Sequence, residues 1–280
     1  MMRLTVENLD VKSILLSGAC FRVIEEDDGS FTNILSDRVV NIKQNGNELF
    51  ITSSKDENLK EVIKNYFDLN RDYNKINEEI ICKNSNLKEI VNKCSNYRIL
   101  NQDKFEISIS YIISQTNSVK RISKSINAIA EEYGKKVVFN NKTYYLFPTY
   151  EELKDKSASD FRKFGVGFRD EYIKNYLDEY ESLKLDYLDT KEALNRLMNI
   201  KGIGLKVASC ILLFGYGRLD VFPIDTWVKK YMVENFNTKN DQKDIEKYAK
   251  EHFGKYSGLI IQYMFHSQRN ISWYFFLIVI

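Results

Sequence analysis

The sequence predicts an α+β protein, mainly α, with an N-terminal antiparallel β-sheet packed on a helical body. Three observations carry that expectation. Apolar runs before residue 54 are separated by Asp28-Gly29 and by Asn45-Gly46-Asn47, turn-forming sequences that join antiparallel strands. After Ser54 the apolar residues recur at helical spacing. Further on, Gly202-Ile203-Gly204 separates two apolar helical stretches and reads as a tight helical hairpin.

Taken in order, Phe21-Arg22-Val23-Ile24 leads into Asp28-Gly29, and residues 38–42 lead through Asn45-Gly46-Asn47 into Leu49-Phe50-Ile51. Hairpins of this kind are expected to hold both turn residues at positive φ. Leu59, Val62, Ile63, Tyr66 and Phe67 then mark a first helix. Val119, Ile122, Ile126, Ile129, Ala130 and Tyr133 mark a longer one, with Gly134 as its stop. Further helices are expected over 159–164, 170–183, 191–200, 205–214, 226–235 and 241–252. With no internal repeat and no low-complexity linker, the expected division is 1–105, the sheet with its following helices, and 106–280, an all-helical part. The latter holds a helix-hairpin-helix over 193–214 and a Pro-x-Asp loop over 223–225.

Composition excludes several classes. For 280 residues, 44% hydrophobic and 13% aromatic, surface scaling lets roughly 74% of the extended chain's surface be buried, so neither disorder nor a collagen-like chain is in question. The 41 basic and 39 acidic residues leave a net charge of +2, and any nucleic-acid surface must be a local patch. It is not expected in the first 54 residues, where Arg3, Lys12, Arg22, Arg38 and Lys43 oppose eight carboxylates. Cys20, Cys82, Cys94 and Cys210 form no C-x-x-C pair, and with only His252 and His266 beside them neither a zinc site nor an iron–sulfur cluster is expected. No signal peptide follows Met1-Met2-Arg3-Leu4, and the eight apolar residues Trp273–Ile280 are too few to span a membrane. A cytoplasmic protein with reduced thiols is expected, its apolar tail packing as an extra strand or helix or serving as an interface.

Residues 193–232 hold most of the functional information. Ala193, Leu194, Leu197 and Met198 form an apolar stripe ending at Ile200, and a nearly all-apolar helix runs from Leu205 to Phe214. Glycines between them leave backbone amides uncovered at a helix N-terminus, where they can hold a phosphate. Arg196, Lys201, Lys206, Arg218, Lys229 and Lys230 face only Asp220 and Asp225 in this stretch. Gly-x-Gly alone also describes a plain helical turn in a core. The combination is more specific: Lys206 lies in the first turn of the second helix, and 19 residues later Pro223-Ile224-Asp225 precedes another helix.

This combination resembles the helix-hairpin-helix-Gly/Pro/Asp superfamily of DNA glycosylases, and Lys206-Val207-Ala208-Ser209-Cys210 with Phe222-Pro223-Ile224-Asp225 looks like its 8-oxoguanine DNA glycosylase/AP lyases of the bacterial, clostridial-like type. Further motifs match in the family's order. They are Ser17-Gly18-Ala19-Cys20-Phe21-Arg22, the stretch from Ser114 to Ile122, Phe147-Pro148-Thr149, Gly165-Val166-Gly167-Phe168-Arg169 and Tyr263-Met264-Phe265-His266. Together they span roughly 15–267. Lys201 stands where the family often has proline, Ala19 where it has glutamine, and Thr116 where its asparagine triplet begins.

The resemblance implies a bifunctional enzyme that excises 8-oxoguanine from duplex DNA by lysine Schiff-base chemistry and then cleaves by β-elimination. Lys206 is its nucleophile and Asp225 its conserved-role carboxylate. A helix N-terminus and apolar neighbours both disfavour an ammonium at Lys206 and favour the free amine that a nucleophile requires. Asp225 is placed to cap the helix that follows and to stabilise oxocarbenium-like charge. Gly18 would present its carbonyl to the hydrogen that 8-oxoguanine carries on N7, with Cys210 and Phe265 on the two faces of the base. Ile261 occupies the family's glutamine position opposite the Watson–Crick edge, so either Gln262 takes over through a shifted turn or lesion discrimination weakens. Phe168 resembles the wedge that fills the hole left by a flipped nucleotide. Arg169 and Arg121 resemble readers of the opposite base, with Asn117 able to serve beside Thr116. Gly202 and Gly204 would hold DNA phosphate. The implied chemistry uses no cofactor and leaves room for a structural cation at the hairpin. The implied partner is duplex DNA containing oxidised purine, bound by a monomer with no membrane, in a bacterial cytoplasm at the nucleoid. Two rivals are a monofunctional alkylpurine glycosylase, against which Lys206 speaks, and a non-catalytic DNA-binding module, against which Lys206, Asp225 and Gly18 speak together.

Overall fold

A computed structural model describes residues 1–269 of the chain; the apolar run 273–280 lies outside the described residues. Strands β1 (Met2–Thr5), β2 (Val23–Glu25), β3 (Phe31–Ile34), β4 (Val39–Asn45) and β5 (Glu48–Ser53) form one antiparallel sheet in the order β1-β5-β4-β3-β2. In the β4–β5 turn Asn45 faces Glu48, and of the two residues between them Gly46 takes φ +57. A turn with positive φ at its first central residue needs one glycine there, so the expectation of two left-handed residues is corrected. The β2–β3 loop likewise uses Gly29 (φ +77) alone. Asp28 turns the chain through its carboxylate, which accepts from Ser30 N at 3.0 Å and Ser30 Oγ at 2.6 Å.

Val40, Ile42, Leu49 and Ile51 are fully buried on the sheet face that meets the helices. Val39 points the other way, into a small cluster with Phe139, Tyr144 and Leu146. These last three lie on or beside a second hairpin, β6 (Lys136–Phe139) and β7 (Lys142–Tyr145), which corrects the expectation of an all-helical body. Its two turn residues, Asn140 (φ +49) and Asn141 (φ +60), are both left-handed, a conformation that asparagine tolerates well.

The helices are, in order, α1 (Val11–Leu15), α2 (Leu59–Tyr66), α3 (Tyr73–Lys83), α4 (Lys88–Lys93), α5 (Lys104–Ser114) and α6 (Val119–Tyr133). After the second hairpin come α7 (Tyr150–Leu153), α8 (Ala158–Arg162), α9 (Arg169–Leu183), α10 (Thr190–Met198), α11 (Leu205–Tyr216), α12 (Thr226–Phe236), α13 (Gln242–Tyr248) and α14 (Ser257–Arg269). The expected division at 105/106 falls in the first turn of α5, and one apolar core runs across it from the sheet to α11 and α14. At the centre α5 packs on α11, where Gly215 admits Ile107: a Cβ there would come within 2.8 Å of Ile107 Cγ2. α6 stops at Gly134, where a Cβ would run into the Leu146 carbonyl, so this glycine serves close packing rather than a left-handed cap. No described helix is long and apolar enough to cross a membrane.

Candidate active site

The hairpin between α10 and α11 treats its two glycines differently. Gly202 has φ +99, and a Cβ on it would overlap the ring of Tyr172 on α9. One turn further along α9, Asn175 Nδ2 donates to Lys201 O at 3.1 Å. Gly204 is the N-cap of α11 at φ −90, with no side-chain cap, and no heavy atom lies within 4 Å of where its Cβ would be. The side of the turn that a Gly204 Cβ would occupy is therefore open, and a helix N-terminus carries first-turn amides without intrahelical partners, which can hold an anion.

Lys206 follows two residues after that cap, half-buried at the start of a helix whose residues from Val207 to Gly215 are all buried. Asp225 is the N-cap of α12, its Oδ1 accepting from Val228 N at 2.8 Å. Burial pushes the Asp225 carboxyl above its ordinary value, while the Val228 N–H and the Lys206 charge pull it back. Cys210, one turn along α11, is pushed up to about 12 by burial, with Lys206 lowering it and Asp225 raising it. Lys206, Asp225 and Cys210 thus share one local field. The loop before Asp225 is held by α14: Gly258 N donates to Leu219 O at 2.7 Å, and a Cβ on Gly258 would meet the Val221 and Leu219 carbonyls at 3.0 and 3.1 Å.

Phe265 stacks on Trp227 with ring centroids 4.1 Å apart and planes at 24°, and Trp227 stacks in turn on Tyr231 at 4.9 Å. Trp227 is a member of this site that the sequence did not single out; its signal was an aromatic two residues after Asp225. Ile261 is fully buried, whereas Gln262 beside it is half-buried. Gly18 stands at φ +88, where an added Cβ would be 4.0 Å from Val119 Cγ2 at the start of α6. Its neighbour Ala19 offers its carbonyl to Gln102 Nε2 at 2.9 Å, and Gln102 N donates to Phe214 O at 3.1 Å, which ties the Gly18 loop to the far end of α11. Arg22 fixes the same segment from below. Its Nε donates to Asn127 Oδ1 at 3.0 Å, its Nη2 to Tyr145 O, and its Nη1 lies 3.6 Å from Glu106 Oε1.

A second cluster gathers around the turn before α9. Phe168 is 54% exposed, its ring edge-on to Tyr172 with centroids 5.6 Å apart at 76°. The Arg169 guanidinium lies 4.4 Å from the Phe168 ring centroid but is itself only 7% exposed. It donates to Gln115 O from Nε at 2.7 Å and from Nη2, to Thr116 O at 2.9 Å and to Val166 O at 3.0 Å. Arg169, expected as a reader of the opposite base, joins two loops through these bonds. Asn117 is engaged likewise, Nδ2 donating to Ile113 O at 3.1 Å and Oδ1 accepting from Ser118 N at 3.0 Å. Arg121 stands exposed on the first turn of α6, and its charge adds to burial in lowering the Arg169 pKa. Among the described residues no group of three or more histidine, cysteine or acidic side chains could hold a metal ion.

Residues 1–107 match a family model described as the N-terminal domain of 8-oxoguanine DNA glycosylase. A probable N-glycosylase/DNA lyase of Methanothermobacter thermautotrophicus is 29% identical over 238 residues, covering 76% of this chain and 75% of that protein. The apo 8-oxoguanine glycosylase/lyase of Clostridium acetobutylicum superposes with a TM-score of 0.88 at 37% identity over 94% of each chain. The same enzyme in complex with double-stranded DNA containing cytosine opposite 8-oxoguanine gives a TM-score of 0.87 at 35% identity, over 97% of this chain and 98% of that one.

Proposed function

The chain belongs to the 8-oxoguanine DNA glycosylase/lyase family, and on that premise we propose that Lys206 and Asp225 carry its reaction. It is a bifunctional DNA repair enzyme, acting on duplex DNA as an N-glycosylase that excises 8-oxoguanine and as a lyase at the resulting abasic site. The observation that supports the residue assignment best is the shared field of Lys206 and Asp225, each at a helix N-terminus, Lys206 two residues after Gly204.

The α11 amides and Lys201 grip a backbone phosphate. Phe168 fills the gap left by the extruded nucleotide, and Arg121, Asn117 and Arg169 read the base opposite. The extruded base lies against Cys210 and Phe265, with Gln262 nearer its edge than buried Ile261, and the Gly18 carbonyl accepts the N7 hydrogen that guanine lacks. The neutral Lys206 amine forms a bond to C1′ as the C1′–N9 bond breaks and the base leaves with a proton. The Asp225 carboxylate stabilises the positive charge that develops on the sugar. Ring opening gives an iminium, loss of a C2′ proton expels the 3′ phosphate, and water releases Lys206. A cation at the hairpin would sit on its backbone carbonyls and assist phosphate binding alone. We place the enzyme, as a monomer, in the cytoplasm on nucleoid DNA.

Borohydride reduction on an 8-oxoguanine duplex tests the assignment. The native chain should be trapped on DNA, and Lys206→Gln should bind without forming an adduct. A trapped adduct in Lys206→Gln would overturn it.

A further inference from the structure

We infer that Tyr172 is a positioning residue that couples the hairpin's hold on a phosphate to insertion of Phe168. The inference rests on the reading above, in which the hairpin binds phosphate and Phe168 is the wedge. Phe168 is the N-cap residue of α9, and Tyr172 lies one turn into that helix. The Tyr172 ring touches both partners: it meets the Phe168 ring edge-on at 5.6 Å, and it fills the space that a Cβ on Gly202 would need. Asn175, a further turn along, adds the bond to Lys201 O at 3.1 Å. One face of a single 15-residue helix therefore carries the wedge at its start and two successive contacts with the hairpin backbone.

A helix transmits displacement because its hydrogen-bonded backbone shortens and bends little, whereas loops absorb it. An anion drawn onto the Gly204 side of the hairpin pulls on the Lys201–Gly202 backbone, and that backbone lies directly under Tyr172. The ring is a flat, stiff spacer with two rotatable side-chain bonds, so it passes the motion to Phe168 instead of dissipating it. Gly202 is required because only its missing Cβ lets the ring approach. Phe168 is also in contact with the Arg169 guanidinium, 4.4 Å from its ring centroid. The wedge thus touches both a buried cation and a ring that reports on the hairpin.

The test is a double-mutant cycle read on two steps. Extrusion is followed by stopped-flow fluorescence of 2-aminopurine beside 8-oxoguanine, and affinity for undamaged duplex is titrated against salt. Tyr172→Leu should leave the undamaged-duplex affinity and its salt slope as in wild type yet slow extrusion about tenfold, the size expected of coupling between groups in contact. Tyr172→Phe should restore the wild-type rate, because ring and not hydroxyl is the spacer. Phe168→Ala alone should slow extrusion more, and adding Tyr172→Leu to it should bring little further loss. Strictly additive losses, or a Tyr172→Leu defect that appears equally in undamaged-duplex affinity, would refute the coupling. If Tyr172→Leu does not fold, Asn175→Ala takes its place, with slowed extrusion at unchanged affinity as the expected result and an unchanged rate as the refuting one. Failure of the wild-type chain to excise 8-oxoguanine would instead overturn the functional reading.

Discussion

Arg169 holds the carbonyl of Thr116 at 2.9 Å, and Thr116 stands in the left-handed region at φ +49. A β-branched residue there is strained, and asparagine is the side chain that tolerates the position best. Thr116→Asn should therefore raise unfolding stability by about 1 kcal/mol, read by urea denaturation. It would also restore an amide five residues before Arg121, so excision opposite cytosine should gain relative to excision opposite adenine. A loss of stability would show that the staple, not the side chain, sets this backbone.

The two hairpin glycines should respond oppositely to substitution. Gly204→Val adds a side chain at ordinary φ into open space, so the protein should melt as wild type while binding to every duplex weakens alike, through blocked approach of a phosphate. Gly202→Ala places a Cβ at φ +99 against the Tyr172 ring and should cost more than about 2 kcal/mol of stability. If Gly204→Val weakened binding only to lesion-bearing DNA, the hairpin would not be a phosphate clamp.

On α14 Gln262 keeps exposed surface and Ile261 does not, so Gln262 is the residue to test at the base edge. Gln262 is half-buried three residues before Phe265, and Ile261 is sealed in the core. Gln262→Ala should lower single-turnover excision of 8-oxoguanine relative to 8-oxoadenine. Ile261→Gln should instead destabilise the fold by roughly 2 kcal/mol, from burying an amide. The reverse pattern would put Ile261 at the Watson–Crick edge.

The pH profile of excision should carry the signature of Asp225. Burial raises its carboxyl above 3.8, and the reaction as proposed uses the ionised form. The acid limb of single-turnover excision should therefore fall at a pH above 3.8, and Asp225→Asn should abolish excision at every pH while leaving duplex binding. An acid limb at or below the ordinary carboxylate value would remove Asp225 from this role.

Stability should have its own pH dependence through Glu106, which burial raises from 4.5 to about 7 despite the nearby Arg22. The folded chain then holds a proton that the unfolded chain gives up. Stability from this group is complete below pH 4.5, declines as pH rises through the interval to 7, and is level above it. Glu106→Gln should flatten that decline, on the order of 2 kcal/mol between pH 5 and pH 8. Parallel melting curves for the two proteins across this range would exclude Glu106 as the titrating group.

Much of this was legible in the sequence where a periodic pattern met a terminal signal. α6 runs from Val119 to Tyr133 as its apolar spacing and Gly134 require, and the β4–β5 hairpin follows from Gly46. α5 was not legible: Phe105 and the run from Ile107 to Ser114 are buried, so the helix has hardly any polar face and no period to read. The β6–β7 hairpin was hidden because its strands are short and its turn is Asn140-Asn141, without glycine. At the candidate site the family resemblance pointed to Lys206 and Asp225, but the burial of Arg169 and the stacking of Trp227 on Phe265 arise from residues distant in sequence. Nothing in the order of the chain announces such contacts.

The Arg22 contacts have a consequence for how the chain can be divided. This cation belongs to the sheet side, yet its partners Glu106, Asn127 and Tyr145 all lie beyond residue 105. Cutting the chain near residue 105 would leave one fragment with an unmatched buried cation and the other with an unmatched carboxylate, each next to exposed apolar surface. Neither fragment should be a soluble module, and the two should behave as halves of a split protein that recover a fold only on meeting each other.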